Sequence, residues 1–156
     1  MRQSSGVGFT AAIELMRTPV ERADPLRSWQ RPDRAFFAAG ACHILAFRFR
    51  KLHADQDWDV IHICPHAGFT GDHLYVTDGE WAFDFNGWTR ETFLLEETAR
   101  RGCALWPAWG FDRVPVVGSF EQFCADHHHR LPSEYAFDPR PRADAFIGGF
   151  GPRPPT

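Results

Sequence analysis

"GDHLYVTDGEWAFDFNG", residues 71–87, holds two strand-like runs on either side of Asp78-Gly79. Asp-Gly flanked by alternating apolar residues signals a hairpin, because a two-residue type I′ turn needs positive φ at both central positions. With that turn, Thr77 opposes Glu80, and the pairs continue as Val76–Trp81, Tyr75–Ala82, Leu74–Phe83 and His73–Asp84. Directly opposed residues share a face, with Cβ atoms about 4.5–5.5 Å apart, within reach of an imidazole–carboxylate hydrogen bond. One face then carries Leu74, Val76, Trp81 and Phe83 and requires a core, while the other carries His73 and Asp84. A slip of one residue would move His73 to the apolar face, so the reading depends on the turn. The competing reading is a cross-strand His-Asp pair on a half-exposed sheet.

A His-Asp pair does nucleophilic chemistry only with a nucleophile, and the upstream stretch "RAFFAAGACHILAFRFRKLH", residues 34–53, supplies a thiol. Good helix formers there, with Arg48, Arg50 and Lys51 near the end, predict a helix that starts near Gly40, since cations suit the negative end of the helix dipole. Cys42 falls at or near its N-terminus, where free amides and the positive dipole end favour a thiolate. Cys42 as nucleophile, His73 as general base and Asp84 as orienter would make a thiolate attack on a carbonyl, proton delivery to the leaving group, and a thioester. The Cys42 amide and Gln30 are the expected oxyanion donors. A buried core thiol is the competing reading of Cys42.

"GACHILAF" opening a helix, "HLYV" opening a strand and "AFDFNG" on the next strand resemble the Cys, His and Asp blocks of the papain-like thiol hydrolase superfamily. The likeness is to its compact bacterial NlpC/P60-type and transglutaminase-like forms and covers residues 34–90 or so. It implies an α+β fold in which the helix bearing the nucleophile packs on an antiparallel sheet bearing the base. It also implies action on an amide, isopeptide or thioester carbonyl of a protein or peptide substrate. Peptidase or amidase, glutamine deamidase and acyl transferase all remain open, since they differ in whether water or an amine resolves the thioester. A non-catalytic binding or accessory protein with the same fold is the alternative, followed by a Cys/His metal-binding protein.

Working outward, "WDVIHIC" at 58–64 reads as a strand ended by Pro65. Residues 89–101 read as a helix from Thr89 to Gly102, residues 113–117 as a short strand, and Ser119 as the cap of a further helix through a Ser-x-x-Gln box. A short helix at Ala11–Arg17 ends at Thr18-Pro19. The expected organisation is therefore a peripheral arm at 1–33, the catalytic core at 34–131, and a Pro/Gly-rich segment at 132–156 with a mobile tail. "LWPAWGF", 105–111, is too Pro- and Gly-punctuated for a regular element, so Trp106 and Trp109 are expected to wall a substrate groove.

The chain of 156 residues, 44% hydrophobic and 15% aromatic, suits one domain, with fifteen Phe and six Trp to fill its core. Its 17 basic and 20 acidic residues are mixed along the chain, which argues against a nucleic-acid partner. No apolar run approaches the roughly 18 residues of a membrane span, and no signal peptide is legible. A cytoplasmic location is expected, with a signal-independent export route the alternative. Cys42, Cys64, Cys103 and Cys124 form no CxxC pair and are expected as free thiols. No cofactor or metal is expected: Cys64, His62 and His66 lack the second ligand pair of a zinc motif, which would have to come from His43, His53 or His127–His129. Those last three histidines read as partners of helix-terminal carbonyls.

Overall fold

In a computed structural model, which describes residues 8–156, the hairpin lies within a five-stranded antiparallel sheet. The strands are β1 (Asp59–Pro65), β2 (His73–Thr77), β3 (Trp81–Asp84), β4 (Gly87–Arg90) and β5 (Phe111–Pro115), in spatial order β4-β3-β2-β1-β5. Seven α-helices among the described residues make the fold mixed α+β: α1 (Pro19–Ala23), α2 (Pro25–Trp29), α3 (Asp33–Ala38), α4 (Cys42–Leu52), α5 (Glu91–Leu105), α6 (Phe120–His127) and α7 (Pro139–Gly148). None is long and apolar enough to cross a membrane.

The hairpin turn sits one residue later than the Asp-Gly rule expects. Val76 pairs with Phe83 and Thr77 with Ala82, and Asp78 N–H donates to the Trp81 carbonyl at 3.2 Å. Gly79, at φ +96°, thus takes the first central position. Side chains decide this: Asp78 Oδ1 accepts the Glu80 and Trp81 amides, and Thr77 Oγ1 accepts that of Gly79. The pairing moves by two residues, and a two-residue shift keeps every side chain on its face. His73 and Asp84 become diagonal neighbours on the expected common face.

That face is not half-exposed. Both sides of the sheet are covered, by two separate apolar clusters. On one side, Val60, Leu74, Val76 and Phe83 meet Ile44, Leu45 and Phe49 of α4, with α3 and α7 behind them. On the other, Ile61, Ile63, Tyr75 and Ala82 meet Ile13, Leu94 of α5 and Trp109. Burying side chains of this size contributes about 1.5–3 kcal/mol each, so each cluster fixes its helices on the sheet.

Several boundaries differ from expectation for local reasons. Thr89 lies in β4, so α5 begins at Glu91 without a side-chain cap. Gly102 does not end α5; a Cβ there would meet the Trp109 ring at 2.1 Å. Ser119 caps α6 as expected, accepting the Gln122 amide at 3.1 Å. Residues 132–156 carry α7, whose Ala143 and Ile147 are buried and whose Asp144 pairs bidentately with Arg48 of α4 at 2.8 and 2.6 Å. Its Pro139 and Pro141 fall in the first turn, where a missing amide donor costs little, so proline content there signals a helix start. The N-terminal arm likewise contributes Ala11, Ala12 and Ile13 to the core.

Candidate active site

Gly40-Ala41 delivers Cys42 to the first position of α4. Gly40 has φ +100°, which favours glycine, and a Cβ there would lie 2.8–3.1 Å from the Arg17 guanidinium. Tyr135 donates its hydroxyl to the Gly40 carbonyl and fixes the orientation of this peptide. Ala41, fully buried, offers no side-chain cap to the helix. The first amides of α4 therefore lack side-chain acceptors next to the thiol, as an oxyanion site requires.

His73 opens β2 at the end of the sheet, and Asp84 closes β3. The Nε2–H of His73 donates to Asp84 Oδ2 at 3.0 Å, and Asp84 Oδ1 accepts the Asn86 amide at 2.8 Å. Cys42, His73 and Asp84 are 4%, 3% and 3% exposed. Burial opposes a charged ring at His73, but the hydrogen bond to Asp84 and the nearby Cys42 sulfur raise its pKa to about 10. Nδ1, the other ring nitrogen, is buried without an aligned hydrogen bond. The thiol thus lies beside the ring without a formed hydrogen bond to it. Phe85 packs edge-on to the imidazole at 5.4 Å.

Cys42 lines a cleft of about 420 Å³ with Gly40, Arg17, Asp72, His129 and Arg130. A larger cavity of about 760 Å³ lies along α4, lined by Phe47, Trp58 and Phe120, and has no cysteine in its wall. The smaller cleft is the one with the chemistry. Arg17 shares it with Arg22 and Arg130; burial and then the Arg130 charge lower the Arg17 pKa.

Beyond Asp72 lies a second group of chemistry-bearing residues. Cys64 Sγ is 3.0 Å from His62 Nδ1, and His62 Nε2 is 3.3 Å from Asp72 Oδ2. His129 Nε2 is 2.9 Å from the same oxygen, and its Nδ1 is 3.3 Å from His43 Nδ1. Burial and the charges of Asp72 and Asp112 push the Cys64 thiol up. Burial lowers His43 to about 3. Burial opposes charge at Asp72 too, yet hydrogen bonds from His129 and His62 hold its carboxyl far below the usual range, even with 45% of the side chain accessible.

A scan against protein-family models, a search of curated proteins and a search of solved structures find no match to this chain.

The geometry therefore stands on its own residues. Cys42, His73 and Asp84 come together; three other expectations are corrected. Gln30 is an exposed residue ending α2, in a different surface depression from the Cys42 cleft. Trp109 is 3% exposed, a core residue whose Nε1 donates to the Thr70 carbonyl at 2.9 Å. Trp106 is 36% exposed and outside the cleft lining. His66 faces Asp112 and His53 bonds the Phe49 carbonyl, so neither joins the histidine group. Tyr135 and Asp72 were not singled out from sequence, only the position of Asp72, one residue before the base, hinting at a role; His129, read there as a partner of helix-terminal carbonyls, meets Asp72 and His43 instead.

Proposed function

We propose that this chain is a cysteine-dependent hydrolase or acyl transferase of papain-like type, acting on an amide, isopeptide or thioester carbonyl in a protein or peptide. The observation that carries this reading is the buried Cys42, His73 and Asp84 at the uncapped start of α4. With Nε2 committed to Asp84, Nδ1 is the nitrogen that exchanges a proton with Cys42.

The Cys42 sulfur attacks the carbonyl carbon, forming an S–C bond while the C=O electron pair moves onto oxygen beside the α4 amides. Collapse of this intermediate breaks the bond to the leaving nitrogen, which takes the proton from the His73 imidazolium. Neutral His73 then removes a proton from water or an acceptor amine, which attacks the thioester and releases the Cys42 sulfur. Asp84 holds the ring in position through both halves. Arg17, Arg22 and Arg130 outnumber the single carboxylate of Asp72 in the cleft, which favours substrates with a negative group near the reacting carbonyl. Four free cysteines suit a reducing compartment such as the cytoplasm.

A peptidyl vinyl sulfone, read as a mass adduct, tests this. The expected adduct is on Cys42, forms faster with a glutamyl than with a leucyl probe, and disappears in C42S. Adducts spread evenly over the cysteines would overturn the assignment.

A further inference from the structure

The convergence of His62, Asp72 and His129 does not depend on the Cys42 reading. Their donor atoms, Nε2, Oδ2 and Nε2, all lie within 4.8 Å of one another. Ligand atoms of a tetrahedral zinc ion with bonds of about 2.0–2.1 Å stand about 3.3 Å apart. The two spacings to the Asp72 oxygen, 3.3 and 2.9 Å, are already of that size.

The hydrogen-bond partners around the group agree with the distances. The Arg130 carbonyl can only accept, so His43 Nε2 carries a hydrogen at 2.7 Å from it. His43 is fully buried, stacked near Phe120, and as a neutral ring its Nδ1 is then a lone pair. His129 Nδ1, 3.3 Å away, must donate to it. That turns His129 Nε2 to the Asp72 carboxylate, 2.9 Å away. His62 Nε2 reaches the same Asp72 oxygen, so two ring nitrogens and one carboxylate oxygen converge on a single point. The pattern of a ligand imidazole donating its other N–H to an outer acceptor is the one that orients histidines on zinc. His62 has Nδ1 against Cys64 Sγ at 3.0 Å and Nε2 turned to Asp72.

The backbone supports the same aim. His128 ends α6 at φ +56°, the one non-glycine residue with positive φ among those described. The left-handed region disfavours any residue with a Cβ. The turn it makes, closed by His129 N–H donating to the Cys124 carbonyl at 3.0 Å, carries the next side chain back over β1.

We propose that His62 Nε2, Asp72 Oδ2 and His129 Nε2 form a site for a zinc-class divalent cation, with its remaining position open to the cleft that Cys42 also lines. Calcium and magnesium, which prefer all-oxygen shells, fit it poorly.

The test is titration calorimetry of the chelator-treated full chain with Zn²⁺ alone. The expected result is one ion bound per chain with micromolar or tighter Kd, weakened at least tenfold in D72N and in H129A, and unchanged in C42S and C103S. Asp72 and His129 are the more accessible ligands, so these variants are chosen over His62, and thermal melting checks that they fold. Co²⁺ gives a second readout: visible absorption without a sulfur-to-metal charge-transfer band. Absence of saturable binding below 100 µM Zn²⁺, or binding insensitive to either D72N or H129A, would overturn the site. Failure of Cys42 to capture an electrophile would leave this result untouched, and the reverse also holds.

Discussion

The Cys42–His73–Asp84 and Cys64–His62–Asp72 groups use the same three residue types, and in both a ring Nε2 faces a carboxylate. They differ in what surrounds the sulfur and the carboxylate. Cys42 stands at the start of an eleven-residue helix with unclaimed amides, and Asp84 serves one imidazole. Cys64 lies on a strand beside the charges of Asp72 and Asp112, and Asp72 serves two imidazoles. A thiol with developing-charge stabilisation is equipped for attack on a carbonyl; a carboxylate shared by two ring nitrogens is equipped to hold a cation. Residue identity and spacing alone do not separate the two cases.

The sharpest way to break this contrast is to exchange the cysteines. In C42S, capture of a peptidyl vinyl sulfone is expected to vanish, while C64S stays within about twofold of the parent; a reversed outcome would move the nucleophile to the strand. H73A and D84N should each lower the capture rate by about 10³, the scale on which triad members act together. A tenfold effect or less from D84N would make the carboxylate a bystander.

The raised pKa of His73 adds a pH test. The folded state holds the proton more tightly than the unfolded chain, so the His73–Asp84 pair contributes fully below about 6.5, and this contribution is lost as pH rises towards about 10. Tm should fall across that window in the parent and fall less in D84N, as measured by calorimetry. An equal slope in both would detach the ring from Asp84.

Smaller effects sharpen the helix start. Y135F leaves the half-buried Gly40 carbonyl without its donor, a loss of about 0.5–1.5 kcal/mol in urea unfolding, and is expected to slow capture about tenfold. G40A should behave similarly, since alanine is strained at φ +100° and meets Arg17. Q30A and W106A, at positions outside the cleft, should change capture less than twofold and stability by less than about 0.5 kcal/mol.

Much of the sheet was legible because its alternation is strong: β1, β2 and β3 fall close to where the pattern puts them, and Gly40 and the basic end mark α4. The common face of His73 and Asp84 survives an incorrect turn because the error was an even number of residues. What sequence hid was tertiary. Hydrophobic alternation cannot report that α5 and Trp109 cover the second face. Prolines read as punctuation at 139–141 stand in the first turn of α7. No local pattern shows that Tyr135 reaches Gly40 across 95 positions, or that a left-handed His128 brings His129 to Asp72.

The most direct measurement of the central claim is competitive alkylation of the intact chain with iodoacetamide at pH 6, resolved cysteine by cysteine by mass spectrometry. Cys42 is expected to react at least ten times faster than Cys64, Cys103 or Cys124, and to lose that lead in D84N. Equal slow labelling of all four thiols, or a lead for Cys64, would contradict it.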